Sequence, residues 1–193
     1  MWWLLQTIKI INMKLDEITN KAVQIGDINP NDEFYTPNYA IEPLMKYLKP
    51  NSVVWCPFDT EESNFVKMLN ARGHSVLFSH KSSGKDFFTF EPKQEYDYII
   101  SNPPYSIKYE VFKRLFELRK PFAMLVGVVG LFESQKRYNM FKENDFEIMY
   151  FNKRISYFKN YADQKPSLNP PFSSVYITSK MLPKKIMFEE ITK

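Results

Sequence analysis

The sequence predicts an α/β fold with a mostly parallel sheet and helices on both of its faces. Short apolar runs, typical of buried parallel strands, alternate with segments whose apolar residues recur at helical spacing. Such alternation indicates parallel strands joined by crossover helices. A last apolar run near the C-terminus has no helical segment before it, which favours an antiparallel strand.

Four elements are predicted in the first half of the chain. In chain order they are helix 38–48, strand 52–56, helix 61–72 and strand 75–79. Both helices place apolar residues on one face, and Pro37 suits the first turn of the earlier one. Pro57 stops the first strand, and Gly73 marks the end of the second helix.

The second half continues this rhythm and then departs from it. Its predicted elements are strand 96–100, helix 109–118, strand 122–128, helix 134–142, strand 146–151 and strand 173–178. No helical pattern separates the last two strands, so a parallel crossover between them is not expected. Strand 173–178 therefore suits an antiparallel partner.

Length and composition indicate one globular domain. A chain of 193 residues is about one domain long, and 44% hydrophobic residues suffice for a buried core. We expect residues 32–193 to form this domain and residues 1–31 to be a peripheral N-terminal extension. The apolar stretch 1–11 is shorter than a membrane span and lacks a cleavage site, so neither an anchor nor a signal peptide is predicted.

Charge, aromatic content and cysteine usage limit the kinds of function. The net charge of +4 permits contact with a polyanion without requiring it. The chain has 17 Phe and 12 Tyr, which leaves rings available for stacking on a planar ligand. The one cysteine, Cys56, excludes an intrachain disulfide and a cysteine-based zinc site, and it favours a reducing cytoplasm.

The strongest candidate for chemistry is the run Asn102-Pro103-Pro104-Tyr105, which directly follows strand 96–100. In doubly wound sheets, ligands bind outside the carboxyl ends of the strands. The Asn102 side-chain oxygen and the Pro103 carbonyl can accept hydrogen bonds from an amino group, and such bonds strengthen as the nitrogen becomes tetrahedral. The prolines stiffen the loop, and Tyr105 offers a ring to stack on a base. A merely rigid loop is the alternative, and the position at a strand end argues against it.

With its neighbours, this motif resembles that of small phage-type DNA N6-adenine methyltransferases, which are Rossmann-like AdoMet-dependent enzymes. The resemblance covers roughly residues 32–179, and Ser101–Tyr105 is its most specific part. The order of the motifs also matches: an aromatic-Thr-Pro turn, then the cofactor strand, then the catalytic loop.

The resemblance implies a fold, a reaction and a partner. The fold is a mostly parallel seven-stranded sheet with an antiparallel strand near the C-terminus, in a single methyltransferase domain without a separate target-recognition domain. The reaction is direct methyl transfer from S-adenosyl-L-methionine to adenine N6 of a flipped-out base, with no metal and no covalent enzyme intermediate. The partner is DNA, in the cytoplasm of a host if the chain is phage-encoded.

The resemblance also implies a cofactor site. Asp59 would bind the ammonium or the ribose hydroxyls, His80 would donate to a hydroxyl, Asp86 would accept the adenine amino group, and Phe87 would pack on the adenine ring. The full set of implied cofactor residues is Tyr35, Thr36, Pro37, Pro57, Phe58, Asp59, His80, Asp86 and Phe87.

Two features depart from the family pattern. The loop after the first strand has no glycine-rich turn, and His80 stands where an acidic residue would usually bind the ribose. A capped helix entry that uses Asp59 or Thr60 is the alternative for this loop, and an ordinary surface position is the alternative for His80.

Nucleic-acid contacts are predicted in the last quarter of the chain. Basic and aromatic residues interleave over 152–161, where Lys153, Arg154 and Lys159 are candidates for phosphate contacts. The run Asn169-Pro170-Pro171-Phe172 repeats the catalytic pattern, but it enters a strand instead of leaving one. If that strand is antiparallel, its loop lies on the catalytic side of the sheet and Phe172 would help to hold the flipped base.

Other substrates and another class of protein stay open. An Asn-Pro-Pro-Tyr loop could bind the amino group of RNA adenine, or the side-chain amide of a protein glutamine, in the same way. A catalytically inactive binding protein of the same fold would also explain a cofactor loop without glycine.

Overall fold

The computed structural model of the protein describes residues 34–168, 170 and 172–193. The predicted extension 1–31 therefore lies outside the described residues, as do Asn169 and Pro171 of the second Asn-Pro-Pro run. Within the described ranges, no helix has the length and apolar character needed to cross a membrane.

Nine strands are present in the described part of the chain. They are β1 (Val53–Cys56), β2 (Ser75–Phe78), β3 (Tyr98–Ser101), β4 (Phe122–Gly127), β5 (Glu147–Phe151), β6 (Tyr157–Phe158), β7 (Pro166–Leu168), β8 (Ser174–Ser179) and β9 (Ile186–Glu189). Seven of them form one sheet in the order β2-β1-β3-β4-β8-β5-β9. Only β8 runs antiparallel to its neighbours, β4 and β5. The predicted mostly parallel seven-stranded sheet with a late antiparallel strand is confirmed.

Four α-helices accompany the sheet between residues 34 and 193, where the structure describes the chain: α1 (Asn38–Ile41), α2 (Asn64–Ala71), α3 (Lys108–Leu118) and α4 (Gln135–Glu143). Each overlaps a predicted helix. The first predicted helix differs most, because after α1 the chain tightens into a 3-10 helix over Glu42–Tyr47. Pro43 explains the change, since it has no N–H to donate to the carbonyl one α-helical turn earlier.

The sheet has a packed layer on each face, as predicted. Alternate residues of a strand point to opposite faces, so Val54 and Cys56 join one core and Trp55 joins the other. The first core includes residues of α1 and α2: Ala40, Ile41, Phe65, Val66 and Leu69. The second includes residues of α3 and α4: Val111, Phe112, Leu115, Met140 and Phe141.

Three strands have no counterpart in the sequence prediction. β9 pairs with β5 at the edge of the sheet, where Phe188 is 77% exposed. It has only four residues, which alternate between exposed and partly buried, so its short apolar run Ile186–Phe188 did not stand out as a buried strand. β6 and β7 form a separate two-stranded hairpin inside the connection between β5 and β8. The hairpin is very short and includes Pro166, which suits an edge strand.

Candidate active site

Asn102 follows β3 directly, and both hydrogens of its side-chain amide have partners. The Nδ2 group donates to the carbonyl oxygen of Phe34 at 2.8 Å and to the hydroxyl of Thr36 at 3.1 Å. These acceptors fix which end of the amide carries the oxygen. The Oδ1 atom of Asn102 is buried and has no hydrogen-bond partner within the described residues. A buried acceptor of this kind is costly to leave unpaired, so Asn102 is suited to an N–H donor from a ligand.

Tyr105 is buried among three other aromatic rings. Its ring stacks on Phe34 with 4.9 Å between ring centroids and 23° between planes, and Phe172 lies 5.7 Å away. The Tyr105 hydroxyl is 2.9 Å from the hydroxyl of Tyr157, which donates to Ser174 at 2.8 Å. Burial raises the pKa of Tyr157 to about 12, so the Tyr157 hydroxyl keeps its proton at neutral pH.

Phe172 lies at the carboxyl end of β4. In the antiparallel register Gly127 of β4 faces Ser174 of β8, and this brings Phe172 to the same edge as the end of β3. The ring packs directly on Gly127, where an added Cβ would lie 2.6 Å from Phe172 Cε2. Glycine is therefore required by this close approach. The position of Phe172 is the one expected for an antiparallel strand, and its contact with a flipped base stays a prediction.

Asp59, in the loop after β1, is buried beside the end of β3. Its carboxylate accepts a hydrogen bond from the hydroxyl of Ser101, the residue before Asn102, and another from Ser63. Burial raises the pKa of Asp59 to about 6, and the two hydroxyls oppose that rise. The carboxylate thus supports the catalytic loop from inside the protein, and its predicted role as a cofactor ligand stays a prediction.

The other predicted cofactor residues lie around the loops after β1 and β2. His80 Nδ1 is 2.7 Å from the Ser82 hydroxyl and accepts from the Ser82 backbone N–H, so His80 caps a 3-10 turn. Asp86 accepts from the Phe88 backbone N–H at 2.9 Å. Phe87 is buried and packs on Phe58 with 4.9 Å between centroids.

The aromatic-Thr-Pro turn meets the catalytic loop, as the motif order suggests. Thr36 and Pro37 are buried, and Thr36 contacts Asn102 as described above. Tyr35 turns towards the hairpin, where its ring meets Tyr161 at 4.6 Å and its carbonyl accepts from the Phe158 N–H at 2.9 Å.

These residues are compatible with S-adenosyl-L-methionine, which needs acceptors for its ammonium and hydroxyls and a flat apolar surface for its adenine. The Asp86 side chain is 33% exposed and carries a carboxylate. The ring of Phe58 is partly buried. The ring of Phe88, the residue that follows Phe87, is exposed. The Phe87 ring is buried in the core beside Phe58, and its predicted packing on the cofactor adenine stays a prediction.

Four residues near the site were not among the predicted site residues: Phe34, Lys108, Gly127 and Tyr157. Lys108 is buried at the start of α3 and donates to the carbonyls of Gly127 at 3.2 Å and Val129 at 2.7 Å. Its ammonium also lies 5.4 Å from the centroid of the Tyr105 ring. A lysine at a helix N-terminus is unfavourable for the helix dipole, and this was the one local signal of its role.

The predicted phosphate-binding residues are exposed on the connection that carries the hairpin. Lys153, Arg154 and Lys159 form no ion pair within the described ranges. The same connection supplies Tyr157 to the site. Unpaired cationic side chains therefore lie on the chain segment that also contacts Tyr105.

Comparisons with known proteins bear on the fold alone. No protein-family model and no curated protein matches the chain. It is similar to the structure of a modification subunit assigned to a type I restriction enzyme from Vibrio vulnificus YJ016 (15% identity, 93% of this chain, 51% of that chain, TM-score 0.48). It is also similar to a type I restriction-modification methyltransferase subunit from Streptococcus thermophilus (13% identity, 82% of this chain, 47% of that chain, TM-score 0.50). A third similar structure is a release factor-specific protein-(glutamine-N5) methyltransferase from Alicyclobacillus acidocaldarius (16% identity, 79% of this chain, 98% of that chain, TM-score 0.39).

The chain spans about half the length of the two restriction-modification subunits. Together with the strand order, the likeness to the Streptococcus thermophilus subunit shows a Rossmann-like α/β methyltransferase fold.

Proposed function

We propose that the protein is an AdoMet-dependent methyltransferase that acts on the N6 amino group of adenine in DNA. The observation that carries the proposal is the buried Oδ1 of Asn102, which has no hydrogen-bond partner among the described residues and follows a strand in a methyltransferase fold, in the same loop as the buried ring of Tyr105. The proposal assigns this activity to residues 32–193 as a single domain.

The chemical difficulty lies in the amine. The lone pair of adenine N6 is delocalised into the ring, so the nitrogen attacks only as it becomes tetrahedral. Asn102 Oδ1 and the Pro103 carbonyl would accept the two N–H bonds, and these interactions are strongest in the transition state. Pro103 and Tyr105 are buried, so they would also keep water from the reacting nitrogen.

S-adenosyl-L-methionine, when bound, would supply a methyl group whose bond to sulfur breaks with its electron pair left on sulfur. The nitrogen–carbon bond forms at N6, which then releases one proton. Asp86 and the rings of Phe58 and Phe88 are the residues suited to hold the cofactor, and Thr36 would position Asn102 beside it.

DNA is proposed as the substrate because of the resemblance to DNA N6-adenine methyltransferases, and the charge and shape of the site suit a nucleic acid. An adenine within a duplex must leave the stack to reach a buried ring such as Tyr105. Lys153, Arg154 and Lys159 would hold the phosphates next to that base. Their contribution would be independent of sequence, which suits a chain whose domain offers few other candidates for base recognition.

RNA adenine and protein glutamine are the other candidate acceptors. The rings of Tyr105 and Phe172 favour a flat aromatic ring over a flexible glutamine side chain. The basic residues suit the phosphates of DNA and of RNA, and the resemblance favours DNA.

The direct test measures transfer of labelled methyl groups from S-adenosyl-L-methionine to four substrates: duplex DNA, single-stranded DNA, RNA and a protein extract. The proposal expects label in DNA, recovered as N6-methyladenine after digestion to nucleosides. Label found only in RNA or only in protein would show that this molecule, and not DNA, is the substrate. Absence of both transfer and calorimetric cofactor binding would favour a binding protein of the same fold.

A further inference from the structure

Phe34 takes a position on Tyr105 that suits a substrate ring. Near-parallel planes at 4.9 Å are the geometry in which a flat base stacks on an aromatic side chain. The other rings around Phe34 meet it at steeper angles, with Tyr157 tilted by 58° and Phe172 edge-on at 79°. We call the space lined by the rings of Tyr105, Tyr157 and Phe172 the slot. The Phe34 ring lies in this slot and stacks on Tyr105.

Phe34 is also the ring of the four that can leave most easily. Tyr105, Tyr157 and Phe172 are buried, whereas Phe34 is only partly buried. The chain is held just after it, because the Tyr35 carbonyl accepts from Phe158 N–H at 2.9 Å and the Thr36 carbonyl accepts from Asn64 at 2.8 Å. Rotation of the Phe34 side chain would leave these bonds in place.

The backbone of Phe34 has a separate task. Its carbonyl accepts from Asn102 Nδ2 and so keeps the Asn102 Oδ1 atom unpaired and fixed in position. The side chain can therefore move, or be truncated, while the hydrogen bond that orients the acceptor stays in place. The two tasks of Phe34 are separable by mutation.

From these contacts we infer that, in the free protein, the Phe34 ring fills the place on Tyr105 that a planar substrate ring would take, and that the Phe34 side chain leaves this slot when the substrate ring enters. The identity of the ring as adenine rests on the proposed function. When the base enters, it replaces the Phe34 ring on Tyr105. The rings that line the slot therefore stay covered. Because Phe34 competes for the slot, the apparent affinity for the base equals the intrinsic affinity multiplied by the fraction of molecules in which the slot is empty.

The test compares wild type with Phe34→Ala and Phe34→Leu. Leucine keeps an apolar side chain for folding but cannot stack as a flat ring. Phe188→Ala is the matched control, because Phe188 lies exposed on β9 at the edge of the sheet. Thermal unfolding is measured for all four proteins.

Binding is measured by fluorescence anisotropy with two labelled oligothymidylates, one with a single adenine and one with an abasic site at that position. The ratio of their dissociation constants isolates the contribution of the base from that of the phosphates. We expect Phe34→Ala to raise this preference for the adenine oligonucleotide by about threefold or more, with Phe34→Leu between it and wild type and Phe188→Ala unchanged.

An unchanged or smaller preference in Phe34→Ala overturns the inference. If wild type also methylates DNA, the proposed function stands and the inference alone fails. If no protein distinguishes the two oligonucleotides and none transfers methyl groups, both fail. A raised preference without methyl transfer supports the slot and contradicts the proposed reaction.

Discussion

The hydroxyl of Tyr105 lies 2.9 Å from the hydroxyl of Tyr157, although the two residues come from opposite sides of the site. Tyr105 belongs to the loop after β3, and Tyr157 belongs to the hairpin between β5 and β8. Ser174 at the start of β8 completes the chain by accepting from Tyr157. Three segments that are distant in sequence thus fix the plane of the Tyr105 ring.

Removal of the Tyr157 hydroxyl should disturb this arrangement while the ring packing stays. In Tyr157→Phe the Tyr105 hydroxyl loses a buried partner, and the free energy of unfolding should fall by about 1–2 kcal/mol. We expect kcat for methyl transfer to fall and KM for S-adenosyl-L-methionine to stay unchanged. Tyr96→Phe is the control, because Tyr96 is buried and its hydroxyl donates to the Glu91 side chain and not to a residue of the site. Equal kinetic effects of the two changes would argue against a specific role for Tyr157.

Substitution of Gly127 should act through Phe172. In Gly127→Ala the new Cβ would meet the Phe172 ring at 2.6 Å, so the ring must shift towards Tyr105. Overpacking of this kind costs about 1–3 kcal/mol, and we expect a loss of methyl transfer with cofactor binding retained. The same change made in a Phe172→Leu background should have a smaller effect on stability. A double-mutant cycle measured by urea unfolding checks this, and strict additivity would contradict the predicted clash.

Ionisation of Asp59 should make stability fall as pH rises from about 4 to about 6. The folded pKa of about 6 lies above the ordinary value of 3.8, so in this window the folded state holds a proton that the unfolded state has lost. Protons bound more tightly by the folded state stabilise it at low pH, and that contribution is lost as pH passes the folded pKa. The full change is on the order of 2–3 kcal/mol.

The measurement is urea unfolding of wild type and Asp59→Asn across this range. Asparagine still accepts from Ser101 but does not ionise. The stability of wild type relative to the variant should decline from pH 4 to pH 6 and level off above it. A difference that does not change with pH would refute the assignment of a raised pKa to Asp59.

Charge reversal on the hairpin connection should weaken DNA binding in a salt-dependent way. Replacement of Lys153, Arg154 and Lys159 by Glu should lower the affinity for duplex DNA. The slope of log affinity against log salt should fall by about one for each phosphate that the protein no longer neutralises. Three exposed lysines elsewhere are reversed in the control protein: Lys136, Lys142 and Lys184. An equal slope in wild type and in the hairpin variant would exclude phosphate binding by these residues.

The parts of the fold that the sequence predicted are those with strong local patterns. β1, β3 and β4 are buried on both faces, so their sequences are continuous apolar runs. The place of the loop Asn102–Tyr105 was also predictable, because it directly follows such a strand. β9 was missed because its apolar run is only three residues long and lies largely exposed at the sheet edge.

The rest of the site depends on contacts between residues far apart in sequence. Nothing local to Phe34 or Tyr157 indicates that both rings meet Tyr105. Gly127 is informative only once β8 is known to place Phe172 against it. Asp59 shows the opposite case, since its position at a strand end was predicted while its inward hydrogen bond to Ser101 depends on packing.

The central claim is tested most directly by methyl transfer to DNA by Asn102→Ala beside wild type. The control is Asn139→Ala, which removes an exposed asparagine from α4. The account predicts N6-methyladenine from wild type and control, a loss of at least about a hundredfold in kcat for Asn102→Ala, and unchanged calorimetric binding of S-adenosyl-L-methionine. Equal activity of Asn102→Ala and wild type would contradict the account.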